Sequence, residues 1–333
     1  MKNMQKTAAV LLSAALLAGC AAPAQTTQTA PAADGKLRIV TTIFPVYDWT
    51  RQVLGEAADS VELTMLQGNG TDLHSYQPSA QDVATIAGCD LFVYVGGESD
   101  GWVADALQEA ANPDRKVLPL MELLGSRVYE EETVEGMEAE EDHEDHGHEE
   151  PETDEHIWTS LRNAAELSSA IADALGELDP SHAGLYTANA AAYGEKLQTL
   201  DDAYAATVAE ASVKTLLFGD RFPFRYLVED YGLTYYAAFP GCSAETEASF
   251  ETVAFLAGKV SELDLPAVLT IEGSDQKIAA TILQNSGGDR PILTLDAMQA
   301  VTAQQAAEGT TYLSVMEQNL TALRQALGLQ EAA

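Results

Sequence analysis

The chain has 333 residues, 46% of them hydrophobic, which is enough for one or two buried cores. Its formal net charge is −35. A surface this acidic repels nucleic acid and anionic headgroups and draws cations toward it. Residues 130–156 alone hold fifteen acidic residues and four histidines with no Lys or Arg, so −15 sits there and −20 is spread over the rest.

The N-terminus reads as an export signal. Lys2 and Lys6 precede the short apolar run AAVLLSAALLA, which is too brief to span a bilayer comfortably. Leu17-Ala18-Gly19-Cys20 follows and resembles the bacterial lipobox, in which the Cys is lipidated. The small, polar, Pro-containing stretch over 21–36 then reads as a flexible tether. The folded part is therefore expected outside the cytoplasm, anchored to the membrane through a lipid on Cys20. Cys89 and Cys242 remain; an oxidising compartment permits a disulfide between them, but two buried thiols is the preferred expectation.

From Leu37 onward, short apolar strands alternate with helical periodicity. LRIVTT reads as a strand, FPVYDWTRQVLG as a helix opened by Pro45, SVELTMLQ as a strand, PSAQDVATIAGC as a helix, DLFVYVGG as a strand buried on both faces, and KVLPLMELL as a further short strand running into a loop. The acidic run, 130–155, reads as a loop by composition. A long helical region over 161–213 follows, broken near Asp179-Pro180; the part after the break is long enough to run past one domain. The strand and helix alternation then restarts and continues to a final helix over 311–327. The fold class is therefore α/β: two lobes, each a mostly parallel sheet flanked by helices, joined by a long rigid helix. The expected divisions are 1–20 signal, 21–36 tether, 37–180 first lobe, 181–213 connecting helix and 214–333 second lobe. The two lobes show no sequence repeat.

Histidine is scarce, six in all. His74, in GNGTDLHSYQPSAQD, falls on a loop after the second strand, where open α/β sheets bind ligands. His156 closes the acidic run immediately before an ordered, Trp-containing segment. His143, His146 and His148 sit inside the run, and His182 follows Pro180 as a surface residue.

These segments together resemble a family, the metal-binding lipoproteins of bacterial zinc and manganese ABC transporters. TDLHSYQPSAQD is similar to its Asp-Pro-His-x-Tyr-x-Pro-x-x-x-Asp segment, with Leu73 replacing Pro. DEHIWTSLRNA resembles its Asp-x-His-x-Trp motif, and a His- and acid-rich loop lies between the two, as in zinc-binding members. TTIFPVYDWTRQVLGE resembles its opening strand and helix, so the likeness runs from Leu37 to the end.

The resemblance implies a binding protein of ABC-transporter type, acting as a monomer with a permease and its ATPase, and not an enzyme. It implies His74 and His156 as metal ligands, with two more from the second lobe. The third position, in GDRFPFRYLVEDYGL, is Arg221, which cannot bind a cation; Asp220 is the substitute expected. For the fourth, AVLTIEGSDQKIAAT offers Glu272, with Asp275 as the alternative or as a helix cap. FPGCSAETEAS adds Cys242 as a soft ligand of lower standing, with Glu245 and Glu247 nearby. Two imidazoles with carboxylates suit Zn2+, with Mn2+ as the alternative; the His-rich loop, His143, His146 and His148, tilts toward zinc as a collecting segment. The competing classes are a secreted zinc hydrolase, against which stands the lack of His-Glu-x-x-His or Gly-x-Ser-x-Gly, and a surface adhesin.

Overall fold

The computed structural model describes residues 35–138, 152–243 and 247–329. Cys20, the loop histidines His143, His146 and His148, and Glu245 lie outside them.

The first lobe begins with β1 (Leu37–Thr41), α1 (Phe44–Leu54) and β2 (Val61–Met65). α1 carries Pro45 in its first turn, where a missing N–H costs nothing, and ends at Gly55 with φ of 52°. The lobe continues with α2 (Ala80–Gly88), β3 (Leu91–Tyr94), α3 (Val103–Ala106), β4 (Lys116–Pro119) and α4 (Leu120–Leu124). Ser79 and Asp82 close a reciprocal capping box at the start of α2, so the chain leaves the His74 loop in a set direction.

α5 (Leu161–Leu178) and α6 (Ala183–Glu210) follow, separated at Asp179-Pro180. His182 at this break is half-exposed and pairs with Asp179, the surface position expected of it. With 28 residues, α6 runs about 42 Å.

The second lobe comprises β5 (Thr215–Arg221), α7 (Arg225–Tyr231), β6 (Thr234–Phe239), α8 (Phe250–Glu262), β7 (Val268–Thr270), α9 (Lys277–Ser286), β8 (Ile292–Thr294), α10 (Ala303–Ala307) and α11 (Tyr312–Ala326). Both sheets are wholly parallel. Their orders are β2-β1-β3-β4 and β6-β5-β7-β8. The lobes thus repeat one topology without repeating sequence, because a covered parallel sheet asks only for apolar residues on both faces.

The lobes share a continuous apolar core that includes Ile39 and Trp49 from the first, Tyr186 and Tyr204 from α6, and Phe218 and Leu269 from the second. α11 ties its ends together: the Tyr312 backbone N–H donates to Asp48 (2.9 Å), its ring packs edge-on against Trp49, and its hydroxyl donates to the Trp158 carbonyl (2.7 Å). The last helix therefore packs on the first lobe as well as the second.

The described ends of the acidic run hold no helix or strand, as expected of a loop, but they are packed rather than solvated. Residues 130–138 and 152–155 are ordered and lie against the second lobe. Glu130 and Thr153 form an antiparallel bridge, and the Glu131 N–H donates to the Glu152 carbonyl (2.8 Å). Glu138 N–H donates to Ala238 O (2.9 Å), Met137 is buried, and Glu132 pairs with Arg225 (2.7 Å). Fixed cationic and backbone partners on the second lobe hold these acids in place, which composition alone does not reveal.

Candidate metal centre

The strand ends of both sheets converge on one cleft. His74 sits on a single helical turn after β2. Leu73, standing where the resemblance has Pro, is buried as the anchor of that turn, and Asp72 accepts the His74 N–H (3.0 Å). His156 is fully buried. Its segment is pinned from the second lobe: Tyr226 donates to the Asp154 carbonyl (2.6 Å), and Trp158 Nε1 donates to the Ala297 carbonyl (2.7 Å).

Each imidazole is oriented by a carboxylate. His156 Nδ1 lies 3.0 Å from Asp154 Oδ1, which also accepts the His156 backbone N–H (2.8 Å). His74 Nδ1 lies 3.0 Å from Glu155 Oε1 and 2.9 Å from Ser99 Oγ. Glu155 is itself held by the Ser99 N–H (3.1 Å) and hydroxyl. Gly97 makes room for it: a Cβ there would stand 2.6 Å from Glu155 Oε2.

With both Nδ1 atoms committed to donation, both Nε2 lone pairs face inward, 3.2 Å apart. Two imidazole nitrogens on a tetrahedral zinc at about 2.0–2.1 Å stand about 3.3 Å apart. Carboxylate–imidazole–metal chains of this kind fix the tautomer and raise ligand basicity. Burial pulls the His156 pKa down, but Asp154, Glu155 and Glu131 outweigh it and leave it raised. Burial acts to raise Glu155, yet the His74 hydrogen bond, His156 and Ser99 hold it below its ordinary range.

Among the described residues, one group of side chains brings three ligand atoms within 4.8 Å of one another: His74, His156 and Cys242. Asp220 and Glu272 do not enter it. Both line a cavity of about 520 Å3 beside His74, together with Asp72, Arg221 and Asp275. Asp220 accepts the Arg221 N–H (2.9 Å). Glu272 accepts the N–H groups of Ala297 (2.7 Å) and Gln299 (2.8 Å), and burial together with the neighbouring Asp296 raises its pKa. Asp275 is exposed and accepts the Lys277 N–H (3.0 Å); the N-cap of α9 is Gln276, with no side-chain cap bond, so Asp275 stands one residue outside the cap expected of it. Arg221 crosses the cleft to Asp72 (2.7 Å).

Cys89 and Cys242 are both free, but only Cys89 is buried as expected; Cys242 is partly exposed. Cys89 is buried and donates to the Ile86 carbonyl. Burial, with Glu131, Glu155 and Asp154 around it, pushes the Cys242 thiol up in pKa. Sequence reasoning passed over Asp154, Glu155, Ser99 and Glu131. The first two were legible as the acids of Asp-Glu-His, but a run of fifteen acids hides two that face inward.

Comparison with known proteins finds zinc-binding relatives. The zinc-binding lipoprotein AdcA of Streptococcus pneumoniae is 37% identical over 295 residues, 88% of this chain and 56% of the relative. The chain thus spans about half the length of several curated relatives it matches. The high-affinity zinc uptake system protein ZnuA of Bacillus subtilis is 28% identical over 96% of both chains. Among solved structures, the Zn(II)-bound ZnuA-like domain of the pneumococcal AdcA superposes with a TM-score of 0.69 at 33% identity, covering 88% of this chain and 99% of that one. The laminin-binding protein Lmb of Streptococcus agalactiae, described as a bifunctional protein with adhesin and metal transporting activity, gives 0.70 at 27% identity, covering 87% and 99%. Residues 39–326 match the ZnuA family, described as zinc-uptake complex component A, periplasmic, and the chain belongs to that family.

Proposed function

We propose that this chain is an extracytoplasmic solute-binding protein that captures Zn2+ in the cleft between its lobes and hands it to an ABC permease and its ATPase. The observation that carries the reading is the pair of inward-facing Nε2 atoms at 3.2 Å, each imidazole held by its own buried carboxylate. His74 and His156 are the two imidazole ligands. Asp220 and Glu272 form the acidic wall of the adjoining cavity, which draws cations toward the pair. His143, His146 and His148 raise the local zinc concentration as weak, multiple contacts, and Cys20 carries the lipid that keeps the protein at the membrane. The protein is a carrier, not a catalyst: the ion is cargo, and its release is to the permease. Loaded and empty forms must differ for that partner to tell them apart.

Two measurements test this. The purified chain binds one zinc per molecule against a competing chelator, and His74→Ala and His156→Ala abolish tight binding. A deletion strain grows poorly when zinc is limiting and recovers on zinc addition. Tight binding that survives both substitutions sinks the site; a strain indifferent to zinc supply sinks the transport role. An adhesive role beside transport is the second reading, favoured by the structural likeness to the laminin-binding S. agalactiae protein. Laminin binding by the purified chain tests it.

A further inference from the structure

We infer that Cys242 is the third protein ligand of the cargo ion, so that the centre is built from two imidazoles and one thiolate. The inference rests on the zinc-binding reading above and sharpens its chemistry.

Four observations on the second lobe converge on the thiol. Its sulfur lies within 4.8 Å of ring nitrogens of both His74 and His156, and no carboxylate among the described residues joins that group. Its backbone is fixed, since the Cys242 N–H donates to Glu131 Oε1 (2.9 Å). The residue before it is Gly241, where a Cβ would stand 3.1 Å from His156 Cε1 and 2.8 Å from the Phe222 carbonyl. Only glycine lets this turn lie directly on the imidazole. Finally, Arg221 Nη1 reaches the Ser243 carbonyl (3.4 Å) while Nη2 holds Asp72 (2.7 Å). The same guanidinium therefore ties the turn after Cys242 to the turn before His74. The cation at position 221 is a positioning residue: it cannot bind the ion, but it joins the two loops that do.

The chemistry follows. On binding, a zinc–sulfur bond forms and the thiol proton leaves to solvent, one proton per ion captured. Three protein donors leave a fourth position open, and of the three His74 also lines the cavity of Asp220 and Glu272. A thiolate is a soft donor, so the centre favours Zn2+ and rejects Mn2+, which takes oxygen. An open position and a short protein-ligand set also suit an ion that must be given up again.

The test uses the full mature chain loaded with one equivalent of metal. X-ray absorption at the zinc edge is expected to show one sulfur at about 2.3 Å among nitrogens and oxygens at about 2.0–2.2 Å. The cobalt-loaded protein shows a thiolate charge-transfer band in the near ultraviolet. Zinc protects one thiol from iodoacetamide, and Cys89→Ala leaves that protection unchanged. Cys242→Ser abolishes the band and lowers zinc affinity at least as much as losing a group that only orients a ligand, roughly 10- to 100-fold. Wild-type protein that binds one zinc with only nitrogen and oxygen neighbours overturns the thiolate while leaving the zinc-binding reading intact. Wild-type protein that binds no zinc overturns both. The absorption, cobalt and alkylation readouts use unsubstituted Cys242, so misfolding of the serine variant does not blur the result.

Discussion

Replacing Asp154 by Ala separates a residue that holds a ligand from one that is a ligand. Asp154 is 2% exposed, and one of its oxygens accepts both the His156 backbone N–H and the imidazole Nδ1–H. The substitution strands two donors in a buried place, which costs about 1–3 kcal/mol each where water cannot replace the partner. A domain of this size has roughly 5–15 kcal/mol to lose, so the variant stays folded but melts earlier. The metal effect is separate. Freed from its carboxylate, the His156 ring loses both its fixed tautomer and part of its basicity, which lowers affinity roughly 10- to 100-fold, about 1.4–2.7 kcal/mol. Asp154→Asn keeps an oxygen acceptor and loses only the charge, so it falls between Ala and wild type. Competition against a fluorescent zinc chelator at fixed pH reads the ratio of dissociation constants, with circular dichroism to establish that each variant is folded. A folded Asp154→Ala protein within twofold of wild type would refute the claim that this carboxylate sets up the imidazole.

Further expectations concern the surroundings. Gly241→Ala must push either the His156 ring or the Cys242 turn aside, and zinc affinity should fall while the melting temperature changes little; unchanged affinity contradicts the close packing there. Exchanging residues 139–151 for a Gly/Ser linker should leave tight binding in place, whereas an exchange begun at 130 also removes Glu131 and the buried Met137 and should cost stability; equal behaviour of the two exchanges counts against the ordered ends of the run. Asp100 gives a pH signature. Burial, with the Glu155 charge, pushes its carboxyl up to about 7 against the hydrogen bonds from Val95 and Gly96. Its proton is held more tightly in the fold than in the unfolded chain, so stability is lost as pH rises from about 4 through about 7. Asp100→Asn should gain on wild type across that window, by on the order of 2–4 kcal/mol at pH 8, with the gain vanishing near pH 4 in urea titrations. A gain independent of pH contradicts the buried charge.

Much of this protein is legible along the chain. Apolar strands such as LFVY and helix-spaced segments such as that after Pro45 mark the α/β alternation, because burial on both faces or on one stripe leaves a local pattern. His74 and His156 are likewise visible, each beside residues that hold its loop: Leu73 as a buried anchor, Trp158 as a ring against His156 at 5.1 Å.

What surrounds them is not local. Asp154 and Glu155 look like two more acids in a charged run until the fold turns them inward against imidazoles 3.0 Å away. Asp220 and Glu272 look like free carboxylates at strand ends, yet backbone N–H groups claim their oxygens. Cys242 follows a glycine and sits in FPGCSAETEAS, but nothing there tells which histidines it meets. Its place beside two histidines depends on a glycine, an arginine and a parallel sheet far from His74 along the chain. Which residues can carry charge, apolar area and metal affinity is readable along the chain, since those are properties of single side chains and their periodicity. Which of the many acids orient, which wall a cavity and which sulfur stands beside the two histidines depends on folding, because those roles are set by distances between segments that no local pattern encodes.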